Sequence, residues 1–499
     1  MPEQLVLLFQ ALGNILFHWE NLAAVVFGTV AGIFLGAMPG LTSTVGIALL
    51  IPFSFYMSPL AAIAMMYGVN KGGIYGGSIP AILLHVPGTP AAACTQLDGY
   101  PLTRQGKHGK ALQMAAYASA IGDTLSDIVL VLFTVKLASF ALKFGPPEFF
   151  TVILFALTII GSVTGRSVIK GLFSAFAGLL LATVGLDPIT SMPRFDFGIT
   201  ELSSRLPLVP ILIGIFSVSE IIIQAEKAVT KGKGLTIAPK SKNPADNRVS
   251  WLELRGCLKV IFRSYFWGQL IGILPGIGAA ISCWVGYGEA KRTSKHPERF
   301  GKGALEGVAA SEAANNAVCG ANLVPLLTLG VPGSTDIAVL MGVFLIHGID
   351  PGPRIFVEQP QLVYGIFAAG FVAILVYFLV GLFAAVRIGK IVASISRAII
   401  FPGVLVLCWM GSYAINTSVF DTGLMVLFGI LGYLMRKFDF SLPALVIAFM
   451  LGSKFEISLR RSLLMSGGSL TIFFSRPICI VFIGLTLVSL FLRKKWLRK

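Results

Sequence analysis

Long apolar runs separated by short polar or charged loops make up most of this chain. A run of about 20 apolar residues is long enough to cross a bilayer as one helix. The pattern therefore predicts an all-α polytopic membrane protein with about ten to twelve transmembrane helices. Outside the broken elements described next, the predicted spans are 111–142, 149–164, 168–186, 207–224, 361–385, 399–414, 422–435, 441–451 and 463–492.

Two stretches interrupt this pattern with glycine and proline. The first, NKGGIYGGSIPAILLHVPGTP at 70–90, holds five glycines and three prolines between apolar neighbours. A related stretch, NNAVCGANLVPLLTLGVPGST, begins at Asn315 and keeps the asparagine, a central proline and a Val-Pro-Gly sequence followed by a hydroxyl residue. Broken backbone within a membrane is costly unless it lines a cavity. Two copies in corresponding halves indicate the binding site of a transporter.

A second pair of glycine-rich segments lies upstream of the first pair. Both follow the pattern GxxxGxxPG, which is formed by Gly32, Gly36, Pro39 and Gly40 and again by Gly268, Gly272, Pro275 and Gly276. The alternative is that these glycines only allow close helix packing. The paired occurrence favours broken or re-entrant helices around a site.

Loop charges predict that the two halves are inserted in opposite senses. The terminus and the loop 54–59 lack Lys and Arg, whereas the loop after the first repeat is basic. In the second half the preceding segment and the loop 289–303 are basic. Basic short loops face the cytoplasm, so we expect an inverted-topology repeat. Its halves would be 1–225 and 258–499, joined by a basic cytoplasmic linker at 226–257. Only the basic loop 452–462 would then lie on the external side.

Composition agrees with a membrane protein and excludes several other classes. The 499 residues are 55% hydrophobic and 12% charged, against roughly 25% charged in soluble domains. The net charge of +16 sits in loops, which is the positive-inside pattern rather than a nucleic-acid surface. The N-terminus lacks the features of a cleaved signal peptide. The chain shows no ATP-binding motif, zinc signature or catalytic constellation, so we expect neither an enzyme nor a cofactor.

The turns suggest how an anion is bound. A helix that starts at such a turn presents free N–H groups and partial positive charge, and hydroxyls and amides nearby add ligands. For any one Ser or Thr, a bond to its own helix is the alternative. The predicted substrate-binding residues are Pro39, Gly40, Thr42, Ser43, Ser78, Pro87, Gly88, Thr89, Pro275, Gly276, Asn322, Pro332, Gly333, Ser334 and Thr335.

Amide and carboxylate side chains near the same turns are candidates for cation coupling. Amide oxygens are good ligands for a hard cation and carry no charge, although Asn also caps helices. The predicted coupling residues, for Na⁺ or a proton, are Asn70, Asn315, Asn316, Glu312 and Asp336. Na⁺ is the only metal ion expected.

Three further charged residues lie in apolar surroundings. Lys71 is a candidate counter-charge for the substrate, or it pairs with another intramembrane charge or reaches water at a helix end. Asp123 and Asp127 share one helix face. They suit an ion path, a contact with Lys136 or a contact with a partner subunit.

Several stretches resemble the large membrane subunit of tripartite tricarboxylate transporters, the TctA family. They are GAMPGLTSTVGIALLIPFSF, YGGSIPAILLHVPGTPAAACTQLDGYPL, GILPGIGAAISCW and ASEAANNAVCGANLVPLLTLGVPGS. The resemblance implies a cation-coupled importer in the bacterial inner membrane, with a small four-span (TctB-like) subunit. It also implies a periplasmic (TctC-like) binding protein that delivers an organic carboxylate. The alternative is an anion channel or a membrane scaffold subunit.

Overall fold

The computed structural model describes residues 2–163, 167–203, 205–230, 241, 243–276, 278–395 and 397–496. The protein is 80% helical with almost no strand, which confirms the predicted all-α polytopic fold. Most of the predicted linker (231–240 and 242), residues 164–166 at the end of a predicted span and 497–499 of the tail lie outside the described residues. Seven described helices are long and apolar enough to cross a membrane, and six further apolar helices have 10–17 residues.

The described residues of the first part of the chain form eleven α-helices and one short hairpin. The helices are α1 (Pro2–Phe17), α2 (Trp19–Ala37), α3 (Ser43–Ser54), α4 (Pro59–Gly76), α5 (Ser78–Leu84), α6 (Ala92–Arg104), α7 (His108–Ala141), α8 (Pro146–Val163), α9 (Val168–Leu181), α10 (Leu208–Leu212) and α11 (Ser219–Thr230). A π-helical segment, Ile213–Val218, joins α10 to α11. The strands β1 (Gly185–Leu186) and β2 (Pro193–Arg194) pair antiparallel, with Gly185 opposite Arg194.

Twelve α-helices follow among the described residues of the second part. They are α12 (Trp251–Ile273), α13 (Gly278–Thr293), α14 (Leu305–Ala321), α15 (Leu323–Leu329), α16 (Thr335–Ile346), α17 (Ile355–Glu358), α18 (Pro360–Phe383), α19 (Ala385–Ser394), α20 (Arg397–Asn416), α21 (Val419–Lys437), α22 (Leu442–Met465) and α23 (Pro477–Trp496). Short 3₁₀ turns lie at Thr200–Leu202, Pro244–Asn247, Pro297–Arg299 and Leu470–Phe473.

Both predicted broken elements are indeed broken helices. The helix α4 stops at Gly76, the short α5 follows, and His85 ends it in the left-handed conformation with φ 59°. In the second half α14 gives way to the short α15, which Gly330 ends with φ 70°. A left-handed residue is a common way to end a helix, because it lets the chain turn while the last carbonyls stay bonded.

The order of elements is the same around each break. Helices α2 to α6 follow the sequence of a long helix, a Pro-Gly turn, a helix, a second long helix, a short helix and a final helix. Helices α12 to α16 repeat that order. The division into halves at 1–225 and 258–499 and their opposite insertion stay predictions.

Close helix packing accounts for the glycines of the upstream motifs. A Cβ placed on Gly32 or Gly36 of α2 would overlap the backbone carbonyl of Val69 or Gly73 on α4. A Cβ on Gly268 of α12 would lie 2.7 Å from a backbone oxygen of α14. The packing interpretation therefore applies to these positions, because small residues allow the backbones to approach.

The prediction that residues 452–462 form a loop is wrong. The boundaries predicted for the spans on either side, 441–451 and 463–492, are therefore wrong as well. These residues belong to α22, which runs without interruption from Leu442 to Met465. Their charges are paired with the loop that carries β1 and β2: Glu456 accepts from Arg194 at 2.8 Å, and Arg460 donates to Asp187 at 2.6 Å. Because these partners satisfy the charges, the charged turn remains helical.

Segments that the predicted topology places on the same side of the membrane contact one another. On the predicted cytoplasmic side, Gln105 donates to the carbonyl of Lys302 at 3.0 Å. On the opposite side, Lys454 Nζ lies 3.3 Å from the carbonyl oxygen of Pro351. The contact between Gln105 and Lys302 joins the first and second halves, whereas Lys454 and Pro351 both belong to the second half.

Candidate functional site

A cavity of about 780 Å³ lies where the broken elements of the two halves meet. Residues from both halves and from the α21–α22 connection line it. They are Thr42, Ser43, Thr44, Ile74, Thr89, Pro90, Ala91, Gly276, Gly278, Ala279, Ala280, Ile281, Asn315, Ser334, Thr335, Asp336, Arg436, Asp439, Phe440 and Pro443.

Four helices begin at this cavity. The first residues of α3, α13 and α16 line it, as does Ala91, which directly precedes α6. Each of these helices starts after one of the glycine- and proline-containing turns. The free N–H groups of a first turn and the partial positive charge of the helix dipole favour a negative group nearby. The cavity therefore has the local electrostatics of an anion site.

The turns that start these helices are held by backbone contacts. Gly40 and Gly276, at the Pro-Gly turns, have φ of 98° and 84°. Only glycine adopts this region without steric cost. The N–H of Gly276 donates to the carbonyl of Gly333 at 2.8 Å. The start of α13 is thereby tied to the start of α16.

Asp336 connects the two halves at the cavity wall. It lies in the first turn of α16 and accepts hydrogen bonds from Ser43, at 2.8 Å, and from Thr44 at the start of α3. The side-chain amide of Asn70 also contacts it. Among the described residues no Lys, Arg or His forms an ion pair with Asp336 within 4.0 Å. The partners of its carboxylate are thus two hydroxyls, an amide and a helix N-terminus, none of which carries a full positive charge. A bound cation would supply that charge.

Two asparagines, one in the cavity lining and one in contact with Asp336, have side-chain amide atoms without hydrogen-bond partners. Asn315 is fully buried and lines the cavity, and neither its oxygen nor its nitrogen has a hydrogen-bond partner. The side-chain oxygen of Asn70 is also buried and unpaired. Buried polar atoms are nearly always paired. Unpaired oxygens beside a carboxylate therefore indicate a ligand position, and they suit a hard cation.

Glu312 and Asn316, also predicted for coupling, lie in a separate buried network. Glu312 accepts from Ser78 at 2.5 Å and from Ser119 at 2.9 Å, and it also accepts from Thr95. Asn316 donates to Ser119 at 2.8 Å. None of these residues lines the cavity. Ser78, predicted to bind substrate, therefore serves the Glu312 carboxyl instead.

Lys71, predicted as a counter-charge for the substrate, is paired with carboxylates inside the protein. Its side chain is fully buried and forms ion pairs with Asp123 at 2.6 Å and with Asp127 at 3.0 Å. It is not among the residues that line the cavity. The two carboxylates balance its positive charge inside the protein. Asp123 and Asp127 therefore pair with Lys71 rather than with Lys136.

The turn residues themselves are mostly behind the cavity wall. A Cβ on Gly88 would overlap the carbonyl of Gly36, and one on Gly333 would lie 2.7 Å from the carbonyl oxygen of Asn322. Backbone packing, rather than approach to a substrate, explains these two glycines. The predicted substrate residues that do not line the cavity are Pro39, Gly40, Ser78, Pro87, Gly88, Pro275, Asn322, Pro332 and Gly333.

The sequence analysis missed Arg436 and Asp439. They lie at the end of α21 and in the loop before α22, and both line the cavity. Arg436 forms an ion pair with Glu220 of α11. A basic residue after an apolar run is also what the positive-inside rule produces, so the sequence carried no separate signal for a site. The lining thus contains two carboxylates and one guanidinium.

A protein-family model matches most of this chain. The model of the tripartite tricarboxylate transporter TctA family matches residues 22–447. An Agrobacterium vitis protein described as "Uncharacterized 52.8 kDa protein in TAR-I ttuC' 3'region" is 35% identical over 470 residues, which is 94% of this chain and 92% of that protein.

A second Agrobacterium vitis protein, "Uncharacterized protein in TAR-II ttuC' 3'region", is 36% identical over 225 residues. That match covers 45% of this chain and 93% of the shorter relative. No solved structure matches the chain.

Proposed function

Because the chain belongs to the tripartite tricarboxylate transporter TctA family, we propose that it carries an organic di- or tricarboxylate across the bacterial inner membrane together with a cation. Family membership and the apolar helices support a multi-pass membrane transporter subunit. The observation that carries the proposal is the convergence of four helix N-termini on one cavity between the two halves.

The lining of the cavity supports a carboxylate as the substrate. The first-turn N–H groups of α3, α6, α13 and α16 supply donors without fixed charge. Hydroxyls of Thr42, Thr89 and Thr335 add donors, and Arg436 adds a guanidinium that matches carboxylate geometry. The volume of about 780 Å³ lies in the usual range for small-molecule sites.

Charge balance supports coupling to a cation. Asp336 lines the cavity and forms no ion pair with a described Lys, Arg or His, and the charge of Arg436 is balanced by Glu220. An entering polycarboxylate adds further negative charge to this wall. A Na⁺ ion bound by Asp336 and the oxygens of Asn70 and Asn315 offsets that charge, and it answers the unpaired amide oxygens. Binding of either ion then favours binding of the other.

The position of the cavity suggests an inward-facing state. Arg436, Asp439 and Phe440 form one wall, and they belong to the connection between α21 and α22. The charge pattern assigns this connection to the cytoplasm. In the assembled transporter, a periplasmic binding protein would deliver substrate from the other side, and a small membrane subunit would complete the complex. Both partners are those that tripartite systems of this family use.

Uptake by the complete transporter tests the proposal. Cells that express all three components are given labelled di- and tricarboxylates, citrate included, with and without a Na⁺ gradient. We expect saturable uptake that depends on Na⁺ and on the binding protein, and loss of most of that uptake in Asp336→Asn. The matched control is Asp350→Asn, whose carboxylate is 69% exposed and away from the cavity.

Three outcomes would contradict parts of this proposal. Uptake driven by a proton gradient and indifferent to Na⁺ would make Asp336 a proton carrier instead. Passive flux that does not saturate would favour an anion channel. Full Na⁺-dependent uptake in Asp336→Asn would remove the cation site from this position.

A further inference from the structure

A triad of charged residues is buried away from the cavity. Lys71 of α4 lies 2.6 Å from Asp123 and 3.0 Å from Asp127 of α7, and the three side chains are at most 1% exposed. None of them lines the cavity. Ionisable groups in the apolar interior of a membrane protein are rare and mark functional positions more often than structural ones.

Two tyrosines complete the surroundings of this triad. Tyr67 of α4 donates to Asp127 at 3.2 Å, and Tyr377 of α18 donates to Asp123 at 3.1 Å. The Lys71 ammonium also lies 4.8 Å from the centre of the Tyr67 ring. The triad thus joins α4, α7 and α18 in one polar cluster within apolar packing.

The charges of the triad do not balance. Two carboxylates face a single ammonium, so full ionisation leaves one negative charge with no access to water. Lys71 is the cation among the described groups here. The other titratable side chains that face α7 from the helices packed on it include Tyr67, Glu253, Tyr265, Glu312, Cys319 and Tyr377. Each of these is neutral or adds further negative charge, and an unpaired buried charge is strongly unfavourable.

The packing around the Asp127 carboxyl leaves no room for a hydrated cation that could supply the second positive charge. A Cβ on Gly320 of α14 would lie 2.6 Å from one oxygen of Asp127, and a Cβ on Gly370 of α18 would lie 2.6 Å from the other. Backbone therefore packs directly against both sides of this carboxyl. A proton fits there, whereas a metal ion with its usual oxygen ligands does not.

We propose that Lys71, Asp123 and Asp127 form a proton-binding site that holds one exchangeable proton, shared between the two carboxyls. The proton exchanges with bulk water when the packing around the site opens transiently, and no bond other than O–H forms or breaks. The pair titrates as a unit, because each carboxyl senses the charge of the other.

This site shares a helix with the cavity. Asn70, which contacts Asp336 at the cavity wall, directly precedes Lys71 in α4. Neighbouring residues of a helix point to different sides, so α4 presents the amide to Asp336 and the ammonium to Asp123 and Asp127. Loss of the proton places a new negative charge against the helix that positions Asn70. The proposal does not depend on the identity of the substrate, since proton occupancy is measured without one.

Infrared spectroscopy of the purified full-length chain tests the site through the C=O stretch of protonated carboxyls. Charge neutrality predicts one retained proton in the wild type, none in Asp123→Asn or Asp127→Asn, and two in Lys71→Met. We therefore expect the protonated-carboxyl band to decrease in either Asn variant and to increase in Lys71→Met. The control is Asp98→Asn, which removes a buried carboxylate bound by three backbone N–H groups and should leave the band unchanged.

The pH dependence of thermal stability gives a second readout. The folded wild type keeps a proton that an unfolded carboxyl releases above about pH 4. Its melting temperature should then fall from about pH 4 upward and level off at the pH at which the band disappears. The Asn variants, whose remaining carboxylate is matched by Lys71, should lack this fall.

Two results would overturn the proposal. One is an infrared band that is the same in the wild type and in both Asn variants, which would mean that both carboxyls are ionised when folded. The other is a Lys71→Met protein that folds without any increase of the band. If either Asn variant fails to fold, the wild-type band and its loss with rising pH still decide.

Discussion

At the scale of single residues, uncharged amides stand out beside the cavity. Asn315 is fully buried, and its side-chain amide has no hydrogen-bond partner among the described residues. The side-chain oxygen of Asn70 also lacks a hydrogen-bond partner. An asparagine that caps a helix would use its side-chain oxygen on a backbone N–H. Here neither oxygen does so. The ligand interpretation therefore explains these two residues better than capping does.

The residue scale yields a prediction for Asn315→Ala. Because no internal hydrogen bond is lost, the variant should fold and insert like the wild type. If the amide oxygen is a cation ligand, the apparent Na⁺ affinity of uptake should fall by roughly tenfold, about 1.4 kcal/mol. The measurement is carboxylate uptake at a series of Na⁺ concentrations.

A matched control for that variant is Asn21→Ala. Asn21 is also buried, but its amide donates to Asn14 at 3.0 Å and lies outside the cavity. Its Na⁺ dependence should equal that of the wild type. An unchanged Na⁺ affinity in Asn315→Ala would refute the role of this amide in coupling.

At the scale of elements, the helix starts around the cavity depend on how tightly the preceding helices pack. The helix α2 lies against α4 through glycines, and the turn after α2 leads directly into α3. A displacement of α2 would therefore move Ser43 and Thr44, which hold Asp336. Packing far from the carboxylate thus controls its geometry.

The element scale predicts opposite effects for two glycine-to-alanine changes. Gly36→Ala places a Cβ onto the backbone carbonyl of Gly73 and should destabilise the protein by about 1–3 kcal/mol, as overpacked cores do. Gly288→Ala in α13 meets no atom within 4 Å. It should be neutral or stabilising by up to about 1 kcal/mol, through helix propensity alone.

Melting temperature in detergent, together with the amount of protein in the membrane, distinguishes these two variants. Equal stability of Gly36→Ala and Gly288→Ala would contradict the packing interpretation. The same measurement applied to Gly88→Ala should resemble Gly36→Ala, because both glycines lie at one backbone crossing.

At the scale of the whole molecule, the two halves repeat the same order of helices, but their equivalent loops differ in charge. The loop between α3 and α4 lacks basic residues, whereas the loop between α13 and α14, which has the same place in the second half, is strongly basic. The predicted inverted repeat places these equivalent loops on opposite sides of the membrane.

Single-cysteine labelling checks this arrangement. Ser58→Cys, between α3 and α4, should react with a membrane-impermeant maleimide added to spheroplasts. Lys302→Cys, between α13 and α14, should react only after the inner membrane is disrupted. Both side chains are exposed, and the six native cysteines are buried, so they supply the unreactive background. Labelling of both positions from the same side would rule out the inverted repeat.

The sequence alone determined the features that depend on neighbouring residues. Apolar runs predicted the helical membrane fold, because length and hydropathy decide whether a helix can cross a bilayer. Glycine and proline predicted the broken helices at 70–90 and 315–335, since both residues act on the local backbone. The stretches that resemble the TctA family are likewise read position by position along the chain.

Only the tertiary structure decided which side chains meet. Ser43 and Asp336 are 293 residues apart, yet they share a hydrogen bond at the cavity. The charged residues of 452–462 are typical of a loop in the sequence, but in the structure Arg194 and Asp187 form ion pairs with them within a helix. Lys71 looks available to a substrate until Asp123 and Asp127 surround it. Each of these outcomes depends on a charge finding a distant partner, because the free energy of a buried charge is set by its neighbours in space and not by those in sequence.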